Sequence, residues 1–187
     1  MVGLGNPGAI YRETRHNVGF MVLDELCVRW RCVLREGKGE YYSCSVRRDD
    51  RDVILLAPTA YMNNSGVAVK DAVEQFGIII EQCLVVADDF ALPLGTLRLR
   101  RAGSDGGHNG LSSIVYQLGS DTFPRLRCGI GTPDMPAGEE TATFVLSPFE
   151  KAEQESAAAM IRRAADAVEL FVQTGIERTM NFYNKAP

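Results

Sequence analysis

A chain of 187 residues, 45% of them hydrophobic, is sized for one globular domain with its own core. No apolar run reaches the ~18–20 residues of a bilayer span, and no basic segment followed by an apolar one marks a secretory signal. A net charge of −4 argues against a uniformly basic surface for nucleic acid, and five scattered cysteines (27, 32, 44, 83, 128) without a C-x-x-C pair read as reduced thiols, not a disulfide frame or a metal site.

In chain order, residues 2–4 read as the end of a buried strand, followed by the turn Gly3-Leu4-Gly5-Asn6-Pro7-Gly8. That run fits G-x-G-x-x-G, the dinucleotide fingerprint, which requires a full strand before it, a helix directly after it and an acid ending the next strand. Here residues 11–15 intervene before helical periodicity begins, and Asp24-Glu25 fall inside the helix that follows, so the run is read as a turn. Phe20, Leu23, Cys27 and Trp30 recur at helical spacing and predict a helix over 17–30. A polar link precedes strands at 40–46 and 52–57, joined by Arg47-Arg48-Asp49-Asp50-Arg51; the run 53–57 is apolar throughout, as in a central strand covered on both faces. Ser65 or Asn64 is expected to cap a helix ending near Phe76 with Gly77 as its stop. A buried strand is expected at 83–87, ending in Asp88-Asp89, and residues 95–101 alternate so that Leu97 and Leu99 face one side while Arg98 and Arg100 face the other.

A second glycine run at 103–110 leads to a short helix over 111–118, then a strand at 125–131. Residues 132–143 form a polar loop with Pro and Gly, a candidate lid. Ser147-Pro148-Phe149-Glu150 has the pattern of a helix start, with that helix running to about residue 173; Gly175 ends it, and a last short helix covers 177–183. Strands alternating with helices give an α/β fold over 1–187: a single domain with a mixed, mostly parallel twisted sheet flanked by helices and a C-terminal helix. Loops at strand ends carry Asn6, Asp88 and the Gly-His-Asn-Gly run, where sites in α/β sheets gather.

The chain holds two histidines, His16 and His108, each followed by an asparagine. Histidine beside a carboxylate makes an economical base near neutral pH, and His16 could meet Asp88 at the strand ends. No G-x-S-x-G elbow and no cysteine in a polar glycine context supplies a nucleophile, which favours a histidine that activates water directly. Asn6, Asn63 and Asn109 lie in polar loops, either holding a peptide-like substrate or bonding their own backbone. His108 reads equally as a loop histidine with a structural hydrogen bond. Tyr11 and Tyr61 stack on a base or pack, and Arg98, Arg100 and Arg101 form a phosphate-binding stripe or an ordinary solvated face.

The stretches G-L-G-N-P-G-x-x-Y-x-x-T-R-H-N-x-G, P-T-x-Y-M-N-x-S-G, V-V-x-D-D, G-S-x-G-G-H-N-G-L and R-L-R-x-G-I-G, with F-V-L-S-P-F after them, closely resemble bacterial-type peptidyl-tRNA hydrolase. The resemblance spans nearly the whole chain. It implies hydrolysis of the ester between a peptide and the 3′-terminal ribose of tRNA, in the cytoplasm, by a monomer with no metal or organic cofactor and no membrane attachment. By motif, His16 would be the general base and Asp88 its partner. Asn109 would position water or substrate, Asn63 would bind near the scissile end, and Asn6 would contact the peptide and help reject unblocked aminoacyl-tRNA. Tyr11 and Tyr61 would line the site of the tRNA 3′ end. Arg98, Arg100 and Arg127 would meet phosphates of the acceptor stem. Three departures accompany it: fewer residues precede the first strand, Phe90-Ala91 stands where the family commonly has Leu-Asp, and the charge balance of the chain is less basic than binding tRNA suggests. The alternative is a non-catalytic RNA-binding member of the same fold.

Overall fold

The computed structural model describes residues 1–135, 138 and 140–184. Seven strands share one sheet in the order β2-β3-β4-β1-β5-β7-β6: β1 Val2–Gly3, β2 Arg35–Glu36, β3 Tyr41–Arg48, β4 Arg51–Pro58, β5 Val85–Pro93, β6 Leu97–Arg100 and β7 Arg125–Gly131. β4, β1, β5 and β7 pair in parallel, while β3 on one side and β6 on the other run antiparallel, so five of the seven strands point the same way. The alternating pleat divides the apolar residues between two cores. Val53, Leu55, Val86, Leu126 and Cys128 face α1 Val18–Trp30 and α5 Gln154–Thr174. Val2, Leu56, Val85 and Ala87 face α2 Ser65–Phe76 and α3 Asn109–Leu118. Two further helices, α4 Glu140–Val145 and α6 Ile176–Tyr183, complete an α/β architecture with helices on both faces of the sheet.

Several elements differ from their sequence expectation. The strand expected to stop before Asp88 continues to Pro93, in register with β7 through Asp88↔Cys128 and Asp89↔Gly129. Gly129 and Gly131 make this possible, since a Cβ at either would strike the backbone of residues 90–93. The polar link contains the short strand β2, and the hairpin turn after β3 shrinks to Asp49-Asp50, with Asp49 at φ 50°. The buried face of α1 is Val22, Leu23, Leu26 and Trp30, while Phe20 and Cys27 lie at its margin. Neither Asn64 nor Ser65 caps α2 through its side chain, although Gly77 ends the helix in the left-handed region as expected. Part of the candidate lid is helical in α4, and its residues 136, 137 and 139 lie outside the described residues.

The long helix does not start at Ser147. Pro148 instead bridges to Thr14, Ser147 accepts the Arg15 N–H through its carbonyl (2.9 Å), and its hydroxyl donates back to the Phe144 carbonyl (2.7 Å). What holds this segment is Arg15, only 2% exposed. Its guanidinium donates to both oxygens of Glu153 (3.0 and 2.6 Å) and lies over the rings of Phe144 (4.4 Å) and Phe149 (5.0 Å). Glu153 also accepts the Glu150 N–H (2.7 Å), so one carboxylate orders the entry to α5 and fixes the residue next to His16. Burial works against ionisation of Glu153, but the Arg15 hydrogen bonds and charge outweigh it and hold the carboxyl below its usual range.

Close contact between α1 and the sheet rests on glycine. A Cβ on Gly19 would strike the backbone of Leu4 and Val86, and one on Gly3 would strike the Gly19 carbonyl and Leu23. The start of α1 therefore lies directly on β1 and β5.

Two tests follow from this packing. Gly19→Ala in a free helix would gain ~1 kcal/mol, but rigid backbone overpacking costs about 1–3 kcal/mol or more; the expected net is destabilisation, read from urea unfolding, and a stabilised variant would contradict the close approach. Glu153→Ala leaves a buried arginine unpaired and is expected to cost about 3 kcal/mol at neutral pH. Because the folded carboxyl titrates below its unfolded value, that advantage of the wild type is full above the ordinary glutamate range of ~4.3 and fades as pH falls toward the folded value. Paired unfolding curves at descending pH check this, and a gap that widens in acid would contradict it.

Candidate active site

The two histidines converge on one carboxylate. Asp88 lies within the inner strand β5 and is 3% exposed; His16, in the 3-10 turn Arg15–Asn17 just before α1, and His108, at the N-cap of α3, are each 8% exposed. His16 Nδ1 lies 2.8 Å and His108 Nε2 3.0 Å from the same Asp88 Oδ1. The ring centroids are 4.9 Å apart.

The hydrogen-bond pattern assigns each ring its tautomer. His108 Nδ1 accepts the backbone N–H groups of Gly110 (3.1 Å) and Leu111 (3.2 Å). A neutral imidazole carries one proton, so His108 Nε2 holds it and donates to Asp88. Both nitrogens of His108 are thereby committed. The same point argues against the three groups as a metal site, although their ligand atoms lie within 4.8 Å of one another. A metal at His108 Nε2 would need the lone pair that its proton occupies. His16 donates Nδ1–H to Asp88, which leaves its Nε2 lone pair as the free base of the group. Burial opposes ionisation of Asp88, but His108 and then His16 more than compensate and hold its carboxyl well below the usual range.

A cavity of about 390 Å³ opens beside this group. Of the residues singled out in the sequence, Asn6, His16, Tyr61, Asn63, Asp88 and Asn109 line it. Phe90 and the α4 residues Ala142 and Val145, with Leu146 after them, add apolar wall that the sequence reading did not foresee. Asn6 is held by a reciprocal pair with Asn17: Asn6 N–H donates to Asn17 Oδ1 and Asn17 Nδ2 donates to the Asn6 carbonyl, both at 2.9 Å. Asn6 Oδ1 accepts the Met62 N–H (2.8 Å), which fixes the amide orientation. Its Nδ2 has no protein partner among the described residues. Asn63 and Asn109 are exposed, on the 3-10 turn Met62–Asn64 and at the first position of α3. Tyr11 stands edge-on to the exposed Tyr61, 6.3 Å between centroids, at the side of the cavity.

The glycine run before Asn6 leads into a 3-10 turn, Ala9–Tyr11, and α1 starts only at Val18, so no helix N-terminus faces it as a dinucleotide cradle requires.

The expected cationic stripe lies on the antiparallel pair β6–β7, with Arg98↔Arg127 and Arg100↔Arg125 in register. Arg98 and Arg100 are exposed. Arg127 is half-buried, pairs with Asp89 (Nε to Oδ2, 2.7 Å) and reaches the glycine loop at Gly106. Arg125, which the sequence reading left unassigned, is fully buried and donates to the carbonyls of Gly103 (2.6 Å), Ser104 (2.9 Å) and Asp121 (2.8 Å). It anchors the loop that carries His108 and Asn109. Asn17 and Arg15 were also left without a role, although both stand beside His16 in the T-R-H-N motif.

Comparison with known proteins identifies the family. The sequence profile of the family described as "Peptidyl-tRNA hydrolase" matches residues 1–187. The peptidyl-tRNA hydrolase of Cytophaga hutchinsonii is 46% identical over 184 residues, 98% of this chain and 96% of that protein. That of Aquifex aeolicus is 42% identical over 187 residues, covering 99% of this chain and 95% of the relative. The crystal structure of peptidyl-tRNA hydrolase from Acinetobacter baumannii superposes with a TM-score of 0.90 at 36% identity, over 96% of this chain and 91% of that one. With matches of this identity running from one end of the sequence to the other, the chain belongs to the peptidyl-tRNA hydrolase family.

Proposed function

We propose that residues 1–187 act as one peptidyl-tRNA hydrolase domain that cleaves the ester between a peptide and the 3′-terminal ribose of tRNA, so recycling the tRNA. The observation that carries this reading is the buried Asp88 with His16 donating to it and His16 Nε2 left free beside an amide-lined cavity. A water held by Nε2 gives up its proton as its oxygen attacks the ester carbonyl. The imidazolium so formed is stabilised by the Asp88 carboxylate. As the tetrahedral intermediate collapses, the proton passes to the departing 3′ oxygen of the ribose. His108 and Asp88 position the base and take no proton themselves.

The asparagines divide the remaining work. Asn63 and Asn109 flank the reacting ester and place water and carbonyl. Asn6 meets the peptide with its Nδ2, since its Oδ1 is occupied by Met62. A donor in that place suits a peptide carbonyl and offers nothing to the free ammonium of an unblocked aminoacyl-tRNA. Tyr11 and Tyr61 receive the 3′-terminal bases. Arg98 and Arg100 track acceptor-stem phosphates, and Arg127, tethered by Asp89, marks the end of the stripe nearest the loop. The protein works as a monomer in the cytoplasm and this chemistry calls on no cofactor. Among the described residues no helix is long and apolar enough to cross a membrane.

Steady-state hydrolysis of N-acetyl-aminoacyl-tRNA tests the reading. His16→Ala is expected to lose ~10²–10⁴-fold in kcat with RNA binding kept. Undiminished turnover would remove the mechanism, and RNA binding without any wild-type turnover would point to the non-catalytic alternative. Asn6→Asp keeps the shape but reverses the polarity offered to the substrate. It is expected to narrow the preference for blocked over unblocked aminoacyl-tRNA, and an unchanged ratio of kcat/KM for the two substrates would deny Asn6 that role.

A further inference from the structure

Away from the cavity, three of the five cysteines meet. Cys27 lies on the last turn of α1, and Arg31 then turns into the left-handed region (φ 53°), which returns the Cys32 N–H to the Cys27 carbonyl at 3.0 Å. Cys44 comes from β3, where its pairing with Leu55 places it on the face toward α1. The Sγ atoms of Cys32 and Cys44 are 3.0 Å apart, and all three lie within 4.8 Å of one another. Each cysteine is half-buried and packs against the apolar core. Among the described residues, the hydrogen-bonding partners that the three thiols find are one another.

The geometry points to a three-thiolate site for one thiophilic d10 metal ion, formed by Cys27, Cys32 and Cys44. Metal–sulfur bonds of about 2.3 Å put sulfurs on a shared ion roughly 3.8–4.0 Å apart. The Cys32–Cys44 pair sits closer than that and all three sulfurs lie within 4.8 Å, so side-chain rotations that move the sulfurs by an ångström or so close the site. Three soft donors with no imidazole or carboxylate among them select zinc or monovalent copper over harder cations. Zinc would take a water as its fourth ligand, whereas copper needs none. As each metal–sulfur bond forms, the thiol proton passes to solvent, and the metal undergoes no redox change. Bound metal ties the end of α1 directly to β3, adding to the β2–β3 pairing that already holds the later part of the link. The sequence hides the cluster because its members are five and twelve residues apart, on a helix, a link and a strand, with no C-x-x-C pair.

The test uses the full chain, reduced and freed of metal under anaerobic conditions. Titration with cobalt(II) is expected to raise a sulfur-to-metal charge-transfer band that saturates at one equivalent. Zinc(II) and copper(I) are then added separately, and the ion that bleaches the band at the lower concentration is the preferred occupant. Cys27→Ser, Cys32→Ser and Cys44→Ser should each weaken binding about 100-fold or more, while Cys83→Ala, on the opposite core, leaves it intact. Independently of any variant, the bound ion should shield three thiols of the wild type from alkylation, counted by intact mass, and should raise its thermal midpoint. No band, a band that survives Cys44→Ser, or an alkylation count unmoved by metal would overturn the site. So would recovery of Cys32 and Cys44 as a disulfide that resists reduction in the folded protein.

Discussion

A single carboxylate oxygen, Asp88 Oδ1, receives an N–H from each of the chain's two histidines inside the protein. A lone buried carboxylate costs several kcal/mol, and two imidazole donors at 2.8 and 3.0 Å are what permit it to stay ionised there. The arrangement is directional. Each imidazole must turn one nitrogen to Asp88, and that choice dictates what the other nitrogen can do. For His108 the other nitrogen closes the N-terminus of α3; for His16 it is a free base. Helix capping, charge burial and chemistry thus share one set of hydrogen bonds.

Bringing residues 16, 88 and 108 together demands close approach from both sides of the sheet. On one face, Gly3 and Gly19 let α1 settle onto β1 and β5. Arg15, fixed by Glu153 between two phenylalanine rings, stops the turn before α1 from drifting. On the other face, Gly66 allows α2 to touch the backbone of α3 at Ser113, and buried Arg125 gathers the carbonyls of the glycine loop. The Arg15 clamp also connects the site to the α4 segment, since Phe144 belongs to α4 and its neighbours Ala142 and Val145 line the cavity.

Charge follows a similar division between internal and external duty. The chain is acidic as a whole, yet its arginines are spent very differently. Arg15 and Arg125 are buried and hold loops; Arg127 is partly neutralised by Asp89; Arg98 and Arg100 project freely. A local pair of exposed cations beside a glycine loop attracts phosphate whatever the sign of the total charge, because screening in physiological salt limits distant acids to about 8 Å.

Local pattern determined much of this protein. The order of most strands and helices, the alternation of Leu97 and Leu99 with Arg98 and Arg100, the glycine stop at Gly77 and the pairing of His16 with Asp88 were legible before any coordinates, since periodicity, turn chemistry and motif survive in one dimension. The start of α5 was misread because the Ser-Pro-x-Glu pattern predicts a helix start, while Thr14 and Arg15 claim that segment from more than 130 residues away. The two His-Asn dipeptides look alike as sequence. Only the tertiary structure decides that His16 keeps one ring nitrogen free and that His108 has none, because Asp88 and the α3 backbone take their share of each ring. The same holds for the three clustered cysteines and for the separate fates of the arginines. Contacts between distant segments depend on sheet register and on how closely helices approach, and neither is encoded in any single stretch of the chain.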